Sequence, residues 1–248
     1  MICIDGKKVK KCFLGDEAIG KVYLGDELIF QKISRLPVGY TELKYISNPN
    51  LGYIPSIGLS GTKPFNAKKI EITIQITDAP PGSYGYIFGA YCAFRTSTTG
   101  TQIYSYHALY YDSSRQCIVN AGIGNVSIAD IRNEVLNITL DYETFLLSVN
   151  QKAPATIKSS DAFAKNVPIS LFSLHRKSYL NSLVQEDTYT SLAYFKFFSM
   201  KISSGGEVLN EWVPCINPDG LVGIYDIIND VFQSSGDATK PLVAGPVI

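Results

Sequence analysis

The chain lacks the features that define several large classes of protein. No apolar run approaches the roughly 20 residues that cross a bilayer, so we expect no membrane insertion. Its 22 basic and 22 acidic residues cancel, and no long basic run occurs, which leaves nucleic-acid binding without an electrostatic basis. The first residues, MICIDGKKVKK, lack the pattern of a signal peptide. We therefore expect the protein to fold in a reducing cytoplasm.

Residues that bind metals or form disulfides are also few. The five cysteines are odd in number and show no C-x-x-C spacing, which argues against both a disulfide framework and a zinc site. Only two histidines occur, and no EF-hand or H-E-x-x-H pattern accompanies them. We expect no metal site and no cofactor. The cysteines are Cys3, Cys12, Cys92, Cys117 and Cys215.

Strand-forming residues dominate what is present, with sixteen tyrosines among an aromatic fraction of 12%. In KIEITIQI (69–76) isoleucine alternates with polar residues, which predicts a strand with one buried face. Roughly ten to fourteen such strands predict an all-β fold, an antiparallel β-sandwich of the jelly-roll type. A two-residue hairpin connection is predicted at Glu143-Thr144, and one short helix or turn at 127–134. Further strands are predicted at 86–94, 101–111, 116–122, 135–142, 145–151, 168–176 and 192–202.

A ten-residue phrase occurs twice near the N-terminus. KKCFLGDEAI (10–19) and GKVYLGDELI (20–29) place a Gly-Asp pair between apolar residues at the same offset. Gly-Asp favours a turn because glycine accepts positive φ and aspartate bonds its own backbone. Residues 1–33 are therefore predicted to be a small meander of three or four short strands, too small to hold a core. Residues 34–248 form the predicted main domain.

Longer segments resemble known proteins. KVYLGDELIF resembles a repeat common in phage and prophage structural proteins. LPVGYTELKYI (36–46) and YIPSIGL (53–59) resemble the start of a phage-encoded module of the concanavalin A-like lectin/glucanase (LamG-like) superfamily. The C-terminal segments FKFFSMKI (195–202), VLNEWVPCINPDGLVGIYDIINDVF (208–232) and GDA (236–238) match it in order and spacing. The resemblance implies a concanavalin A-like jelly roll. Departures occur at Pro55-Ser56, at Gln233-Ser234 and in the insert at 177–191.

Catalytic patterns are missing from the sequence. Glucanases of this fold place their acids on one strand as E-x-D-x-x-E, and that pattern does not occur. The nearest acids, Asp141 and Glu143, stand where a turn begins and are interpreted as charges at a hairpin end. Glycoside hydrolysis needs two carboxylates flanking the bond, so we predict no enzymatic activity and no catalytic residue.

Aromatic residues supply the binding candidates. Tyr104, Tyr106 and Tyr110 share one strand face at period 2, and His107 lies among them. If that face is a concave sheet surface, its rings suit a glycan; if it faces inward, the same residues are core, and the core interpretation is favoured. The only tryptophan, Trp212, is more often a core or hairpin anchor than a platform for sugar stacking.

Together these features predict a non-enzymatic, phage- or prophage-type structural protein whose lectin-like domain binds a carbohydrate or another virion or surface protein. It would fold in the cytoplasm and become virion-associated. A polysaccharide-degrading enzyme of the same fold and a bacterial cell-surface glycan-binding protein are the alternatives. Fibre and baseplate proteins are often trimers, which leaves a homo-oligomer open by analogy, although no heptad stretch indicates one.

Overall fold

A computed structural model describes most of the chain after residue 34 and the strands before it. Side chains are described from residue 35 onward, within the ranges 35–57, 69–80, 84–91, 108–112, 134–150, 152–157, 169–176 and 192–248. Backbone alone is described for the strands in 1–31 and for 92–95, 102–107, 117–121, 125–128, 177–180, 183–184 and 188–190.

Three separate antiparallel hairpins account for the described residues of the N-terminal region. Each copy of the repeated phrase forms one of them. In the second copy, Leu24 pairs with Glu27. The Gly-Asp turns predicted in the two copies, at 15–16 and 25–26, lie outside the described residues. The predicted meander of three or four strands is thus six strands in separate pairs, and the boundary at residue 33 stays a prediction. The strands are β1 (Cys3–Ile4), β2 (Lys7–Lys8), β3 (Cys12–Leu14), β4 (Glu17–Ile19), β5 (Lys21–Leu24) and β6 (Glu27–Gln31).

The remaining described residues form two large sheets of mostly antiparallel strands, and no helix occurs among them. None of the described segments is therefore a helix long and apolar enough to cross a bilayer. The strands are β7 (Thr41–Glu42), β8 (Ile46–Ser47), β9 (Lys69–Ile76), β10 (Tyr84–Arg95), β11 (Gln102–Asp112), β12 (Cys117–Ala121), β13 (Asn125–Ile128), β14 (Val135–Asp141), β15 (Leu146–Val149), β16 (Ala155–Thr156), β17 (Ser170–Leu171), β18 (Leu174–Leu180), β19 (Leu183–Val184), β20 (Thr188–Thr190), β21 (Phe195–Ser204), β22 (Glu207–Ile216), β23 (Val222–Asp226), β24 (Val231–Ser234) and β25 (Val243–Ala244).

Strand order defines the two sheets. The eight-stranded sheet runs β13-β12-β11-β10-β18-β19, with β17 beside β10 and β20 beside β18. The eleven-stranded sheet runs β16-β15-β14-β9-β21-β22-β23-β24, with β7, β8 and β25 beside it. The all-β prediction is confirmed. The short helix or turn predicted at 127–134 is wrong at its start, because Ser127 and Ile128 belong to β13; residues 129–133 lie outside the described part.

One hydrophobic core lies between the sheets, and it follows from strand alternation. Ile70, Ile72 and Ile74 of β9 are buried while the residues between them are not, as the period-2 pattern predicts. Phe88 of β10 and Tyr111 of β11 enter the same cluster from the other sheet. We call this cluster the inter-sheet core; it makes the arrangement sandwich-like.

One pair of neighbouring strands is parallel, which the sequence did not indicate. β17 pairs with β10 in the antiparallel sense, and β18 then pairs with β10 in the parallel sense. The reversal occurs at Phe172, whose φ of 70° lies in the left-handed region. Its buried ring contacts Phe195 and Phe197 of the opposite sheet. Burial of this ring offsets a backbone conformation that costs about 1–3 kcal/mol.

The first residues after the hairpins are fastened to the eleven-stranded sheet. The Arg35 guanidinium pairs with Glu42 at 2.9 Å and with Glu211 at 2.8 Å. Leu36 packs with Cys215 and Tyr225 on the sheet face opposite the inter-sheet core. The strands thus bury apolar side chains on both faces at this point, and the 35–36 segment covers the second face.

Because Cys215 is buried, its thiol is predicted to be unreactive in the native protein. Burial, and to a smaller extent the neighbouring Glu42 carboxylate, raise the pKa of the Cys215 thiol to about 12. Because the thiolate is the reactive form, we expect no alkylation of Cys215 by iodoacetamide in the native protein and full alkylation in denaturant. Peptide mass mapping measures both. Native labelling at the denatured rate would contradict the observed packing.

Candidate functional site

The outer face of the eight-stranded sheet carries a cluster of tyrosines. In β11, Leu109 and Tyr111 enter the inter-sheet core, so Ala108 and Tyr110 point to the other side of the sheet. There Tyr110 packs with Tyr86 and Leu174, apart from the main core. We call the surface formed by Tyr84, Tyr86, Tyr91, Tyr110 and Arg176 the tyrosine face.

A β-bulge in β10 creates this surface. Tyr86 pairs with Tyr110, but Phe88 pairs with Leu109, so Ile87 is an extra residue. Before the bulge Tyr84 and Tyr86 point outward; after it the alternation changes phase, and Tyr91 again points outward. Without the extra residue, strict alternation from Tyr86 would turn Tyr91 into the core.

Ring contacts fix the geometry of the tyrosine face. The ring of Tyr110 lies 5.0 Å from that of Tyr86 and 5.2 Å from that of Tyr84, the second pair nearly perpendicular at 81°. These are favourable aromatic geometries. Tyr86 and Tyr110 are buried, whereas Tyr84 is 45% exposed. The face therefore has a packed floor and one open ring at its edge.

Electrostatics keep the phenols of this face neutral. Burial, followed by the nearby Tyr84 and Asp112, raises the pKa of Tyr110 to about 12. Burial also raises the pKa of Tyr86, and Tyr110 and Tyr84 add to that effect. Neutral phenol hydroxyls can both donate and accept hydrogen bonds, so the buried Tyr86 and Tyr110 form an uncharged floor beneath the exposed ring of Tyr84.

The sequence candidates in β11 fall on this strand at defined register positions. Tyr110 belongs to the tyrosine face. Tyr106 pairs with Tyr91, Tyr104 pairs with Ala93, and His107 pairs with Ala90. The side chains of Tyr104, Tyr106 and His107 lie outside the described residues. Tyr110 points to the outer face of the sheet, away from the inter-sheet core, but its side chain is buried. It therefore fits neither sequence-based alternative fully, since it is neither an open binding ring nor part of the main core.

Trp212 lies elsewhere, in the inter-sheet core on β22, where it is 1% exposed. It pairs with Met200 and Asp226 on the flanking strands. A ring buried to this degree has no open face for a sugar, and its placement agrees with the favoured interpretation as a core anchor.

This burial predicts the fluorescence of the protein. As Trp212 is the sole tryptophan, its emission should be blue-shifted in the native state and resist quenching by iodide. We also expect no change in emission when a ligand binds the tyrosine face. Steady-state fluorescence during a titration tests this, and strong native quenching would contradict the buried position.

The two acids considered for catalysis are occupied by backbone contacts. Asp141 accepts hydrogen bonds from the N–H groups of Glu143 at 2.8 Å and Thr144 at 3.0 Å. Glu143 accepts one from the N–H of Gly205 at 3.0 Å. Burial alone would raise the pKa of the Asp141 carboxyl group. The hydrogen bonds from Thr144 and Glu143 and the positive charge of Lys69 outweigh burial and hold this pKa below its usual value. A depressed pKa does not suit a general acid at neutral pH.

The same contacts correct the predicted hairpin. β14 and β15 pair from Asp141 opposite Leu146, so the connection has four residues, 142–145, rather than two. Asp141 caps the turn, and Phe145 closes it with a φ of 56°. The side-chain cap of Asp141 was not read from the sequence, which explains the error.

The acids near the C-terminus also have partners. Both oxygens of Asp226 accept hydrogen bonds from N–H groups, and Asp230 accepts one from the Tyr225 hydroxyl at 3.2 Å. Among the described residues no group of three or more His, Cys, Asp or Glu side chains could hold a metal ion. In the part of the chain with described side chains, these acids therefore act as hydrogen-bond acceptors.

Sequence reasoning missed Tyr91 and Arg176. The Arg176 guanidinium lies over the Tyr91 ring, 5.3 Å from its centroid. Their neighbouring positions on β10 and β18 depend on the parallel pairing after Phe172. Tyr91 reaches the outer face only because of the bulge at Ile87, and no local pattern signals that bulge.

Comparison with known proteins supports no assignment of family or activity to this chain. No protein-family model matches the chain, and no curated protein matches it. Among solved structures it is similar to SCP-B, a member of the eqolisin family of peptidases, in complex with the tripeptide Ala-Ile-His. That match has 10% identity over 84% of this chain and 100% of the other, with a TM-score of 0.30. A similarity this low carries no argument about fold or activity.

Proposed function

We propose that the protein is a non-enzymatic, phage- or prophage-type structural protein whose jelly-roll, lectin-like domain binds a carbohydrate through the tyrosine face. One observation carries this proposal. The ring of Tyr84, 45% exposed, offers apolar surface and a hydroxyl together on a sheet face outside the inter-sheet core, and the half-buried Tyr91 adds a second partly open ring to the same face. Sugars have both apolar C–H faces and hydroxyl groups, so the chemistry is complementary.

The N-terminal hairpins have a separate role in this proposal. Each is a two-stranded sheet, and an isolated hairpin is at best marginally stable in water. Contacts with other virion components would stabilise the hairpins, so we assign them to attachment within a larger assembly. The resemblance of KVYLGDELIF to a phage repeat supports the same role.

A binding experiment tests the carbohydrate proposal. Tyr84→Ala removes the open ring and should weaken binding to a recognised bacterial surface polysaccharide about five- to tenfold, the size of a lost ring contact of about 1–1.5 kcal/mol. Binding is measured by titration calorimetry after a polysaccharide panel has identified the polymer.

Two variants serve as controls. Tyr84→Phe keeps the ring and should retain most of the affinity. Phe145→Ala removes an aromatic ring of similar exposure, 42% against 45%, from the hairpin end of the other sheet, and should have no effect. If the wild-type protein binds no polysaccharide, or if Phe145→Ala weakens binding as much as Tyr84→Ala, the proposal is wrong.

The enzymatic alternative has its own test. Incubation with β-glucans should release no new reducing ends if Asp141 and Glu143 serve only as turn acceptors. Release by the wild type that is abolished in Asp141→Asn or Glu143→Gln would favour a glucanase instead.

A further inference from the structure

Arg176 stands at one end of the tyrosine face as an exposed cation fixed by a ring. It is the register neighbour of Tyr91 on the adjacent parallel strand, so both side chains point outward side by side. The guanidinium lies 5.3 Å from the centre of the Tyr91 ring, within the range of a cation–π interaction. A guanidinium held in this way has lost part of its rotational freedom before any ligand arrives.

The charge of Arg176 is not neutralised in the described part of the chain. Among the described residues, no carboxylate forms an ion pair with Arg176. Asp112 is the register partner of Tyr84 at the opposite end of the face. The exposed positive charge of Arg176 therefore lies at the Tyr91 end.

The positive charge of Arg176 also acts on Tyr86, which lies in the buried floor of the tyrosine face. Burial raises the pKa of Tyr86, whereas the positive charge of Arg176 lowers it by stabilising negative charge on the Tyr86 oxygen.

The two ends of the face are far apart, because Tyr84 and Tyr91 are seven positions apart on β10. Because of the bulge, the same stretch spans only six positions on β11, from Asp112 to Tyr106. At about 3.3 Å per residue this is about 20 Å, enough for an oligosaccharide segment rather than one sugar.

We propose that Arg176 determines specificity for a carboxylate-bearing sugar within an acidic polysaccharide laid along the tyrosine face. This inference rests on the proposed carbohydrate-binding function. The planar guanidinium can donate two parallel N–H bonds to one carboxylate, a geometry that a neutral sugar cannot use. The Tyr91 ring supports the guanidinium plane, and the open ring of Tyr84 contacts a sugar face further along the polymer. Arg176 thereby selects the ligand, while Tyr84 contributes affinity to acidic and neutral sugars alike.

Matched polymers test the selection. A uronate-containing polysaccharide such as polygalacturonate is compared with the same polymer after reduction of its carboxyl groups, which keeps the backbone and removes the charge. We expect the wild-type protein to bind the acidic form at least tenfold more tightly, the usual size of a charge-assisted contact. Arg176→Gln should bind both forms equally. Arg176→Lys should retain part of the preference, because it keeps the charge without the planar fork.

Two further measurements separate this inference from a general charge effect. Lys44→Gln removes one exposed positive charge from the connection between β7 and β8, beside the other sheet, and should leave the preference unchanged. Tyr84→Ala should weaken both polymers by a similar factor. The thermal midpoints of all variants are compared first, to confirm that each is folded.

The outcomes distinguish the two proposals. If Tyr84→Ala weakens binding but Arg176→Gln keeps the wild-type preference, carbohydrate binding stands and the role of Arg176 is wrong. If a phosphate-bearing polymer without carboxylates binds as tightly as the uronate polymer, the assignment to carboxylate is also wrong. If no polymer binds, both proposals fail.

Discussion

Replacing Asp226 with alanine is expected to lower the free energy of unfolding by about 3–4 kcal/mol, a drop of about 10 °C in thermal midpoint. Asp226 ends β23 and is 3% exposed, yet its carboxylate faces only N–H donors. One oxygen accepts the backbone N–H groups of Glu211 at 3.2 Å and Ile228 at 3.1 Å, and that of Asn229 at 3.4 Å. The other accepts the side-chain amides of Asn210 at 2.7 Å and Asn229 at 2.8 Å.

The size of this effect follows from the number of donors left without an acceptor. Alanine would orphan several partly buried N–H groups in the turn after β23, and each costs about 1–3 kcal/mol when water cannot reach it. Asn229 also donates to the Leu209 carbonyl at 2.9 Å, so the turn would lose its link to β22. Water entering the loosened turn limits the total to the expected range.

Two variants define the mechanism of this loss. Asp226→Asn keeps the shape but turns an amide N–H group towards other donors, so it should lose at least about 2 kcal/mol. Asp219→Ala removes an exposed carboxylate from the preceding turn, where the only side-chain contact is a long one of 3.4 Å from Asn217, and should change stability by less than about 0.5 kcal/mol. Urea denaturation measures all three. Equal effects of Asp226→Ala and Asp219→Ala would contradict this explanation.

Strand-level features could be predicted from the sequence wherever one strand carries its own signal. β9 was predicted at its observed limits because Ile70 to Ile76 alternate with polar residues. The C-terminal turns also carry a local signal, since the turn-forming residues Pro218-Asp219-Gly220 and Asn229-Asp230 lie between consecutive strands. In the first turn the Asn217 side chain accepts the N–H groups of Asp219 and Leu221.

Features that depend on contacts between distant segments could not be predicted. Asn48 is an example: its amide oxygen accepts the Phe195 N–H at 3.0 Å, and its amide nitrogen donates to the Ala193 carbonyl. Nothing near Asn48 in sequence indicates that partner. The parallel strand after Phe172 and the bulge at Ile87 belong to the same class, because tertiary packing offsets their local cost.

The candidate site contains both kinds of feature, those signalled within one strand and those that depend on distant segments. Tyr110 was chosen from a period-2 pattern, and it does lie in an aromatic cluster. Its partners Tyr86 and Tyr91 come from another strand, across a bulge, and Arg176 comes from a third. A site assembled across strands is invisible to any pattern read along one strand, whereas a buried residue such as Trp212 can be judged from its residue type.

Gly85→Ala is expected to destabilise the protein by about 2–3 kcal/mol, because the Tyr111 ring lies directly over the glycine. A methyl group at Gly85 would meet two ring carbons of Tyr111 at 2.7 Å and its hydroxyl oxygen at 3.0 Å. The ring cannot move aside easily. Its hydroxyl accepts the Tyr194 N–H at 2.9 Å and lies 3.4 Å from the Tyr194 carbonyl, and the residue is fully buried in the inter-sheet core.

A double-mutant cycle isolates the clash from other effects of the methyl group. In a Tyr111→Leu background the ring is gone, and Gly85→Ala should become neutral or stabilise by up to about 1 kcal/mol through a less flexible unfolded chain. The coupling energy is then about 2–3 kcal/mol. In a Tyr111→Phe background the ring remains and only the hydroxyl contacts are lost, so Gly85→Ala should still be strongly destabilising. Additive effects in the Tyr111→Leu cycle would mean that this ring does not rest on Gly85, and the packing of β10 against β11 at the edge of the tyrosine face would need a different description.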